Sequence, residues 1–425
     1  MPHRWQVVWM MFLSFILCNM DKVNMSVAVI PMSAQYGWTA TERGLVSAAF
    51  FWGYTATQTP AGWLCTKYGG VRVLLAGVLL WSIGTLIAPP AAQYGILALC
   101  ATRLFVGLGE GLAPSSVTNV MSRKIPGTER ARAVSVVFGG LDVGSAVGLL
   151  ICGPLIKHFG WQSVFYVFAA LGLIWAACWP LIKPADAVDA VEKEQAALQA
   201  EANRGKENDR VPYGDFLRSR AVWAIIVAHF AFNWGYYSLL AWLPSYFELA
   251  LGLDVANSSL LTLIPYLAMT FMTPVVGPTA DRLVAKGWDT TAVRKVCQGA
   301  SFLFPALCML GLSALTPASP ALVTRTQTLL LVGLMSAAFA MSAWSRAGLY
   351  CNHQDISPRY ASALLGITNT AGALPGVLAN MMVGRLLDSS GSWALALFLP
   401  TAAVQLFGLV FYGLFASSKR VERWC

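Results

Sequence analysis

The sequence is poor in charged side chains. Asp, Glu, Lys and Arg make up 12% of its 425 residues, against about 25% in a typical soluble domain. A chain with so little charge cannot cover a surface that faces water. The hydrophobic share is 57% and the mean hydropathy is +0.60. These values exclude a soluble enzyme, a nucleic-acid-binding protein and a disordered scaffold, and they predict a membrane protein.

Motifs for metal, nucleotide or nucleophilic chemistry are also missing. The nine cysteines form no C-x-x-C pair, the four histidines lie far apart, and no G-x-x-x-x-G-K-[ST] nucleotide-binding loop occurs. We therefore expect no metal, no cofactor, no enzymatic activity and no use of ATP.

Long apolar runs dominate what remains, and they are rich in Gly, Pro and aromatic residues, as membrane-spanning helices are. A spanning helix needs about 20 mostly apolar residues. The sequence predicts twelve such spans: Val7–Ile30, Gly44–Leu64, Val73–Ala88, Gly95–Val120, Ala133–Ile156, Val164–Ile182, Ala221–Tyr246, Ser258–Val276, Val296–Leu315, Thr328–Cys351, Ala361–Leu386 and Ala394–Phe415.

The basic residues indicate the orientation of these spans. With both termini placed inside, 22 of the 29 Lys and Arg residues fall in inside loops and tails, and four fall outside: Arg43, Lys157, Arg325 and Arg385. Basic residues collect on the cytoplasmic side of membranes. We therefore expect a multi-pass protein with both termini on the cytoplasm-equivalent side.

One long polar segment divides the chain. It covers about residues 183–220, contains 15 charged residues of both signs, and predicts helix only around residues 188–202. The expected organisation is a six-helix half at 1–182, a cytoplasmic linker at 183–220 and a second six-helix half at 221–425.

The two halves share features that indicate a repeat. Spans two and eight each end on a Gly followed by a basic turn, and spans five and eleven are rich in glycine, which lets helices approach closely. We therefore predict an all-α polytopic membrane protein, with 12 transmembrane helices in two pseudo-symmetric six-helix halves. Two matching halves around a midplane cavity are the plan of secondary transporters.

Placing one charged side chain at the centre of the membrane costs about 2.5–3.5 kcal/mol or more of insertion free energy, so each such residue needs an explanation. Arg103 and Glu110 are seven residues apart in span four, close to two helical turns, and so share a face. We interpret Arg103 as binding a substrate anion or pairing with an acid, and Glu110 as the proton-coupling group. A purely structural salt bridge is the alternative.

Asp21 and Lys22 are adjacent in span one and point about 100° apart. One can face the cavity while the other faces a neighbouring helix, or they can form a local pair that sets helix packing. Asp142 in span five and Arg346 in span ten are two further charges within predicted spans, and we hypothesise that they pair.

Several polar residues inside apolar spans are candidate anion ligands. They are Asn24, Ser26, Tyr54, Gln58, Asn233, Tyr237 and Asn369. Each could equally serve as a hydrogen bond between helices.

Five stretches carry a resemblance to a known family: CNMDKVNMSVAVIPMS at 18–33, FWGY at 51–54 with Gln58, RLFVGLGEG at 103–111, YCNHQDISPRY at 350–360 and GITNTAG at 366–372. The chain resembles the anion:cation symporter family of the major facilitator superfamily, which includes sialin, the vesicular glutamate transporters and the plant type-4 phosphate transporters. The likeness extends over nearly the whole chain and is strongest to the plant and algal phosphate-transporter branch.

The resemblance implies roles for residues that match the family. Lys22 and Arg103 would hold the anion, and Glu110, with Asp21, would couple the cation. Lys22 stands where the family has Arg; its point charge suits phosphate better than a bidentate carboxylate. Asp281, His353 and Asp355 would belong to the inner gate and the helix ends that support it.

The function expected from the sequence is secondary active transport of a small anion, most simply inorganic phosphate, coupled to H⁺ or Na⁺ by alternating access. The alternatives are an organic anion (ascorbate, glutamate or a sugar acid) and, less simply, a non-transporting nutrient sensor or a channel. We expect a monomer in a lipid bilayer, either the chloroplast envelope or the thylakoid, with no nucleic-acid partner.

Overall fold

The computed structural model describes residues 3–125, 127–182, 212–317, 320–357 and 361–419. Every regular element in those ranges is helical, as the sequence predicts. The helix expected around residues 188–202 lies outside the described residues.

Fifteen α-helices follow one another along the described chain, and each predicted span coincides with one or two of them. They are α1 His3–Tyr36, α2 Ala40–Tyr68, α3 Gly70–Gln93, α4 Ile96–Gly111, α5 Ala113–Lys124, α6 Gly127–Phe159, α7 Gln162–Cys178, α8 Tyr213–Arg218, α9 Arg220–Leu249, α10 Val255–Ala285, α11 Thr290–Leu315, α12 Arg325–Ser342, α13 Cys351–Ile356, α14 Ala361–Ser390 and α15 Leu399–Phe415. Two 3₁₀ turns and two π-helical segments accompany them: Trp179–Leu181, Pro320–Leu322, Arg346–Tyr350 and Ala394–Phe398.

Within the described ranges, 10 helical segments are long and apolar enough to cross a membrane. The two predicted spans outside that set lie on α2 and α14, which have 29 and 30 residues and are therefore long enough. Helix α2 carries a run of hydroxyl and amide side chains around Gln58, which makes it more polar than those segments. The helices are present at all twelve positions.

Glycine sets the turns between the early helices. Gly69 separates α2 from α3 with φ 82°, and Gly95 separates α3 from α4 with φ 116°. Both lie in the left-handed region, which glycine enters without a Cβ penalty. These turns let consecutive helices run back against each other.

Contacts between Cα atoms divide the chain into two compact units. The first contains the described residues within Met1–Lys22, Trp52–Val147 and Phe165–Pro212, and the second those within Val23–Phe51, Gly148–Val164 and Tyr213–Cys425. The boundaries fall inside α1, α2, α6 and α7, so the second unit includes parts of four helices of the N-terminal half. The predicted division at 182 and 220 follows the order of helices along the chain and stays a prediction.

Small residues bring helices together in the first unit. A Cβ on Gly77 of α3 would lie 2.8 Å from the Gly109 carbonyl oxygen of α4. On α6, a Cβ on Gly140 would lie 2.6 Å from the Phe12 oxygen, and one on Gly144 would lie 2.4 Å from the Ile16 oxygen of α1. The predicted close packing of span five is therefore present, and it fixes α1 beside α6.

Candidate functional site

The two adjacent charges of α1 have different partners in the first unit. The hydroxyl of Thr85 on α3 donates a hydrogen bond to the Asp21 carboxylate. The Lys22 ammonium lies 3.4 Å from the Oε2 atom of Glu110 on α4. Consecutive residues of a helix point about 100° apart, so α1 contacts two neighbours at one level.

Glu110 is fully buried and lies between two side chains of α1. Besides Lys22, the Cys18 thiol lies within hydrogen-bond distance, with its Sγ atom 3.2 Å from Oε2. The Lys22 nitrogen is 3.6 Å from the same sulfur. Cys18 and Lys22 are four residues apart and so lie on one face of the helix. The carboxylate is held by a thiol and an ammonium.

Arg103 lies two turns before Glu110 on the same helix and is 2% exposed. The carboxylates near enough to act on its charge are those of Asp21 and Glu110. We call Asp21, Lys22, Arg103 and Glu110 the central charge cluster. Because it contains two basic and two acidic groups, its formal charge is zero when all four are ionised.

Two polar residues of α2 border this cluster. The Lys22 nitrogen lies 4.9 Å from the centre of the Tyr54 ring, a cation–π distance. Gln58 follows Tyr54 by one helical turn, and its side chain interacts with the tyrosine hydroxyl. The structure therefore brings together six of the residues singled out from the sequence: Asp21, Lys22, Tyr54, Gln58, Arg103 and Glu110.

The other candidate ligands belong to the second compact unit. Asn24 is fully buried on α1, and Asn369 is half-buried on α14. Tyr237 of α9 packs on Phe51, with ring centres 4.5 Å apart. One turn earlier, Asn233 donates a hydrogen bond of 2.7 Å to the Gly372 carbonyl oxygen. The roles of Asn24, Tyr237 and Asn369 as substrate ligands stay predictions.

The three residues predicted for the inner gate have different surroundings. His353 is 2% exposed, and its Nε2 atom lies 2.8 Å from the Thr368 hydroxyl. Asp355 pairs with Arg294 of α11, and the Nε–Oδ2 distance is 2.7 Å. Asp281 is exposed near the end of α10. The contacts of His353 and Asp355 join helices of the C-terminal half, and a gating role stays a prediction.

A π-helical turn at Arg346–Tyr350 separates α12 from α13. The Gln298 Oε1 atom of α11 accepts hydrogen bonds from the Ser345 hydroxyl and the Leu349 amide, both at 3.0 Å. Arg294 also donates a hydrogen bond of 3.1 Å to the Ala347 carbonyl oxygen. Irregular backbone at membrane depth needs such partners, so α11 supplies the side chains that stabilise this turn.

We expect Arg294→Gln to lower the free energy of unfolding by about 2 kcal/mol. This value lies between those for breaking an exposed and a buried ion pair, because the Arg294 and Asp355 side chains are both partly exposed. Thermal unfolding in detergent measures the loss. Adding Asp355→Asn should restore part of it, because the unpaired carboxylate is then removed. Lys286→Gln, at an exposed position, is the control. An Arg294→Gln variant as stable as the parent would show that the pair contributes nothing.

Three residues that contact the predicted site residues were not predicted from the sequence, and one predicted ion pair is not tested by the structure. Cys18 and Thr85 looked like ordinary apolar-span residues, although the four-residue spacing of Cys18 and Lys22 is a signal. Arg294 was counted only toward orientation. Asp142 and Arg346 are both half-buried and belong to different compact units, and their pairing stays a prediction.

The model of the Major Facilitator Superfamily matches residues 10–380 of the chain. Two solved structures share the fold. One is the inward open xylose transporter XylE from E. coli, with TM-score 0.77, 14% identity and coverage of 97% of this chain and 96% of that one. The other is a bacterial homologue of the human lysosomal transporter Spinster, with TM-score 0.73, 16% identity and 97% coverage of both.

Curated relatives match over almost the whole chain. A probable chloroplastic anion transporter 6 of Arabidopsis thaliana is 42% identical over 98% of this chain and 80% of its own length. A chloroplastic ascorbate transporter of the same plant is 40% identical, covering 99% and 76%. Its chloroplastic sodium-dependent phosphate transport protein 1 is 39% identical, covering 99% and 80%.

Proposed function

Because the chain belongs to the major facilitator superfamily and, within it, to the anion:cation symporter family, we propose that it carries inorganic phosphate, in symport with Na⁺ or H⁺, by alternating access. Membership makes it an integral, multi-pass transporter of anions, of the kind found in plastids, and not an enzyme. The observation that supports the finer proposal is the neutral, buried cluster of Asp21, Lys22, Arg103 and Glu110.

The anion site is proposed at the two cations of the cluster. Arg103 offers a planar fork of donors that matches two phosphate oxygens, and Lys22 offers a point charge that suits a third. Both groups are held away from water, since Arg103 is buried and Lys22 is 12% exposed. Removal of water strengthens their attraction for an anion. Tyr54 supplies a ring beside Lys22 and limits where the ammonium can move.

Coupling follows from the charge of the cluster. Before the anion enters, Lys22 is neutralised by Glu110 at 3.4 Å. A monovalent anion, such as dihydrogen phosphate, that takes over the Lys22 ammonium leaves Glu110 without that ion-pair partner, and the cluster and the anion together then have a net charge of −1. A buried net charge is costly. One Na⁺ or H⁺ at Glu110, with Asp21 as a second acidic group, restores neutrality.

The same charge balance describes the conformational cycle. The loaded cluster is neutral when anion and cation are both present, and the empty cluster is neutral when both are absent. When only one of the two ions is bound, the cluster has a net charge. The protein should then change slowly between the two access states. We propose that this difference makes transport obligatorily coupled, and that the protein works as a monomer within the bilayer.

Ascorbate is the second candidate substrate, because a relative with 40% identity is an ascorbate transporter. Ascorbate is a monoanion, so it satisfies the same charge balance. It is larger than phosphate and would need further hydrogen-bonding side chains. The discriminating feature is therefore the size of the anion rather than its charge.

Uptake into liposomes containing the purified protein tests the proposal. We expect labelled phosphate to accumulate when an inward Na⁺ or H⁺ gradient is imposed, and not when both gradients are collapsed. Ascorbate and glutamate are measured in parallel under the same gradients. Phosphate uptake that ignores both gradients would refute symport. Strong ascorbate uptake without phosphate uptake would assign the second candidate, and no gradient-driven uptake of any anion would favour a sensor.

A further inference from the structure

A carboxylate of α14 binds the first free amides of α2. The Asp388 Oδ1 atom accepts a hydrogen bond of 2.8 Å from the Ala40 amide, and its Oδ2 atom accepts one of 2.7 Å from the Thr41 amide. Helix α2 begins at Ala40, so these amides have no partner within their own helix. The negative charge also lies at the positive end of the helix dipole. A residue of the C-terminal half thus caps a helix of the N-terminal half.

The backbones of the two helices touch immediately beside this cap. A Cβ on Gly384 of α14 would lie 2.5 Å from the Ala40 oxygen, and one on Gly44 of α2 would lie 2.4 Å from the Asn380 oxygen. No side chain fits at either glycine. We call these residues, together with Thr41 and Asp388, the α2–α14 seam.

A buried arginine flanks the seam. Arg43 is 8% exposed and lies 5.6 Å from the ring centre of Trp242 on α9. The acids near enough to act on its charge are Glu248 and Asp388. Trp242 in turn donates a hydrogen bond of 3.1 Å to the Asn380 side chain. Charged and polar groups of three helices thus meet at this end of the seam.

The seam lies at the start of α2 and towards the end of α14, which we place on one side of the membrane. Helix α1 begins near the N-terminus and crosses once, so α2 begins on the side opposite the termini. Alternating access requires this side to open in one state and close in the other. Contacts between the two halves at that end are therefore contacts that must break during transport.

From this geometry we propose that Asp388 is a gating residue, which closes the side opposite the termini by capping α2. The carboxylate suits this task because its two oxygens match two adjacent amides, whereas an asparagine offers one oxygen. Its position at the exposed end of α14 lets water replace the amides when the seam parts. The inference rests on the proposed transport cycle, but it concerns a residue that the substrate does not touch.

Cysteine labelling tests the gate without any substrate. Ala48 is fully buried and lies one turn beyond Gly44 on the same face of α2. We introduce Ala48→Cys with Cys100→Ser, since Cys100 is partly exposed near the start of α4, and label with a membrane-impermeant maleimide from the side opposite the termini. Asp388→Asn should increase the labelling rate about fivefold, because the cap lies at a solvated rim.

The control and the second variant keep the test decisive. Asp254 caps its own helix, α10, through the Asn257 amide at 2.9 Å, and Asp254→Asn should leave the labelling rate unchanged. Ala40→Pro removes a donor to Asp388 at the helix position where proline is best tolerated, and it should act like Asp388→Asn. Asp388→Glu, which keeps the charge, should fall between the parent and Asp388→Asn.

The outcomes separate the gate from the transport proposal. If Asp388→Asn and Ala40→Pro both label at the parental rate, the gate is wrong. If labelling rises in these variants but the parent protein takes up no phosphate, the gating role of Asp388 is supported and phosphate is excluded as the substrate. In transport, weaker closure should lower the KM for anion offered from the side opposite the termini and raise the KM from the other side. A purely structural loss would reduce the maximal rate from both sides alike.

Discussion

Arg103→Gln should reduce gradient-driven phosphate uptake by about 100-fold or more. The variant removes a buried guanidinium that faces Asp21 and Glu110, so the central charge cluster is left with two acids and one base. Loss of a hydrogen bond to a charged group costs about 1.5–3 kcal/mol, and each 1.4 kcal/mol is a factor of ten. The anion also meets a site whose net charge is now negative. Initial uptake rates in liposomes, normalised to folded protein, measure the effect.

Two further variants distinguish charge from geometry at this position. Arg103→Lys keeps the charge and loses the planar fork, so we expect a KM about tenfold higher with a similar maximal rate. Arg325→Gln removes an exposed arginine at the start of α12 and should transport like the parent. If folded Arg103→Gln retains near-parental uptake, Arg103 does not bind the anion.

Glu110→Gln should separate movement of the anion from its coupling to a cation. The amide has no charge to neutralise, so it imitates the cation-loaded carboxyl group. Exchange of phosphate across the membrane, measured as counterflow without any ion gradient, should continue. Accumulation driven by a Na⁺ or H⁺ gradient should fall at least tenfold, because the group that requires the cation is gone.

The Lys22 contact refines this expectation. In the variant, the ammonium no longer has the Glu110 carboxylate at 3.4 Å, so the anion meets less competition for Lys22 and its KM in counterflow should fall. Asp254→Asn, an acid-to-amide change at the start of α10, is the control and should accumulate phosphate normally. Accumulation by Glu110→Gln equal to that of the parent would assign coupling elsewhere. Loss of counterflow together with accumulation would indicate a structural role for Glu110.

The helices could be predicted because the membrane imposes a simple rule. A segment that crosses hydrocarbon must be apolar over about 20 residues and must satisfy its backbone internally. The predicted spans also include those on α2 and α14, which stand outside the 10 apolar segments found among the described residues. The break within span four was not predicted: the single span at 95–120 is divided at Leu112, just before Pro114 of α5.

The members of the charge cluster could be predicted, but their pairing could not. Arg103 and Glu110 share a helix, so their common face follows from helical geometry. Lys22 and Glu110 are 88 positions apart, and nothing in the sequence states that α1 and α4 meet at that level. Cys18 was missed for the same reason, because a thiol in an apolar run gains meaning only from the carboxylate beside it.

The sequence by itself determined that this chain is a polytopic helical membrane protein and which few charges need an explanation, because hydrocarbon tolerates charge so poorly that each exception is visible along the chain. The tertiary structure decided which of those charges meet. It placed Lys22 against Glu110 and Asp388 against the start of α2, and it gave Arg294, counted only toward orientation, a partner in Asp355. These contacts join helices far apart in sequence, and packing at close-approach glycines such as Gly44 and Gly144 sets which helices are neighbours.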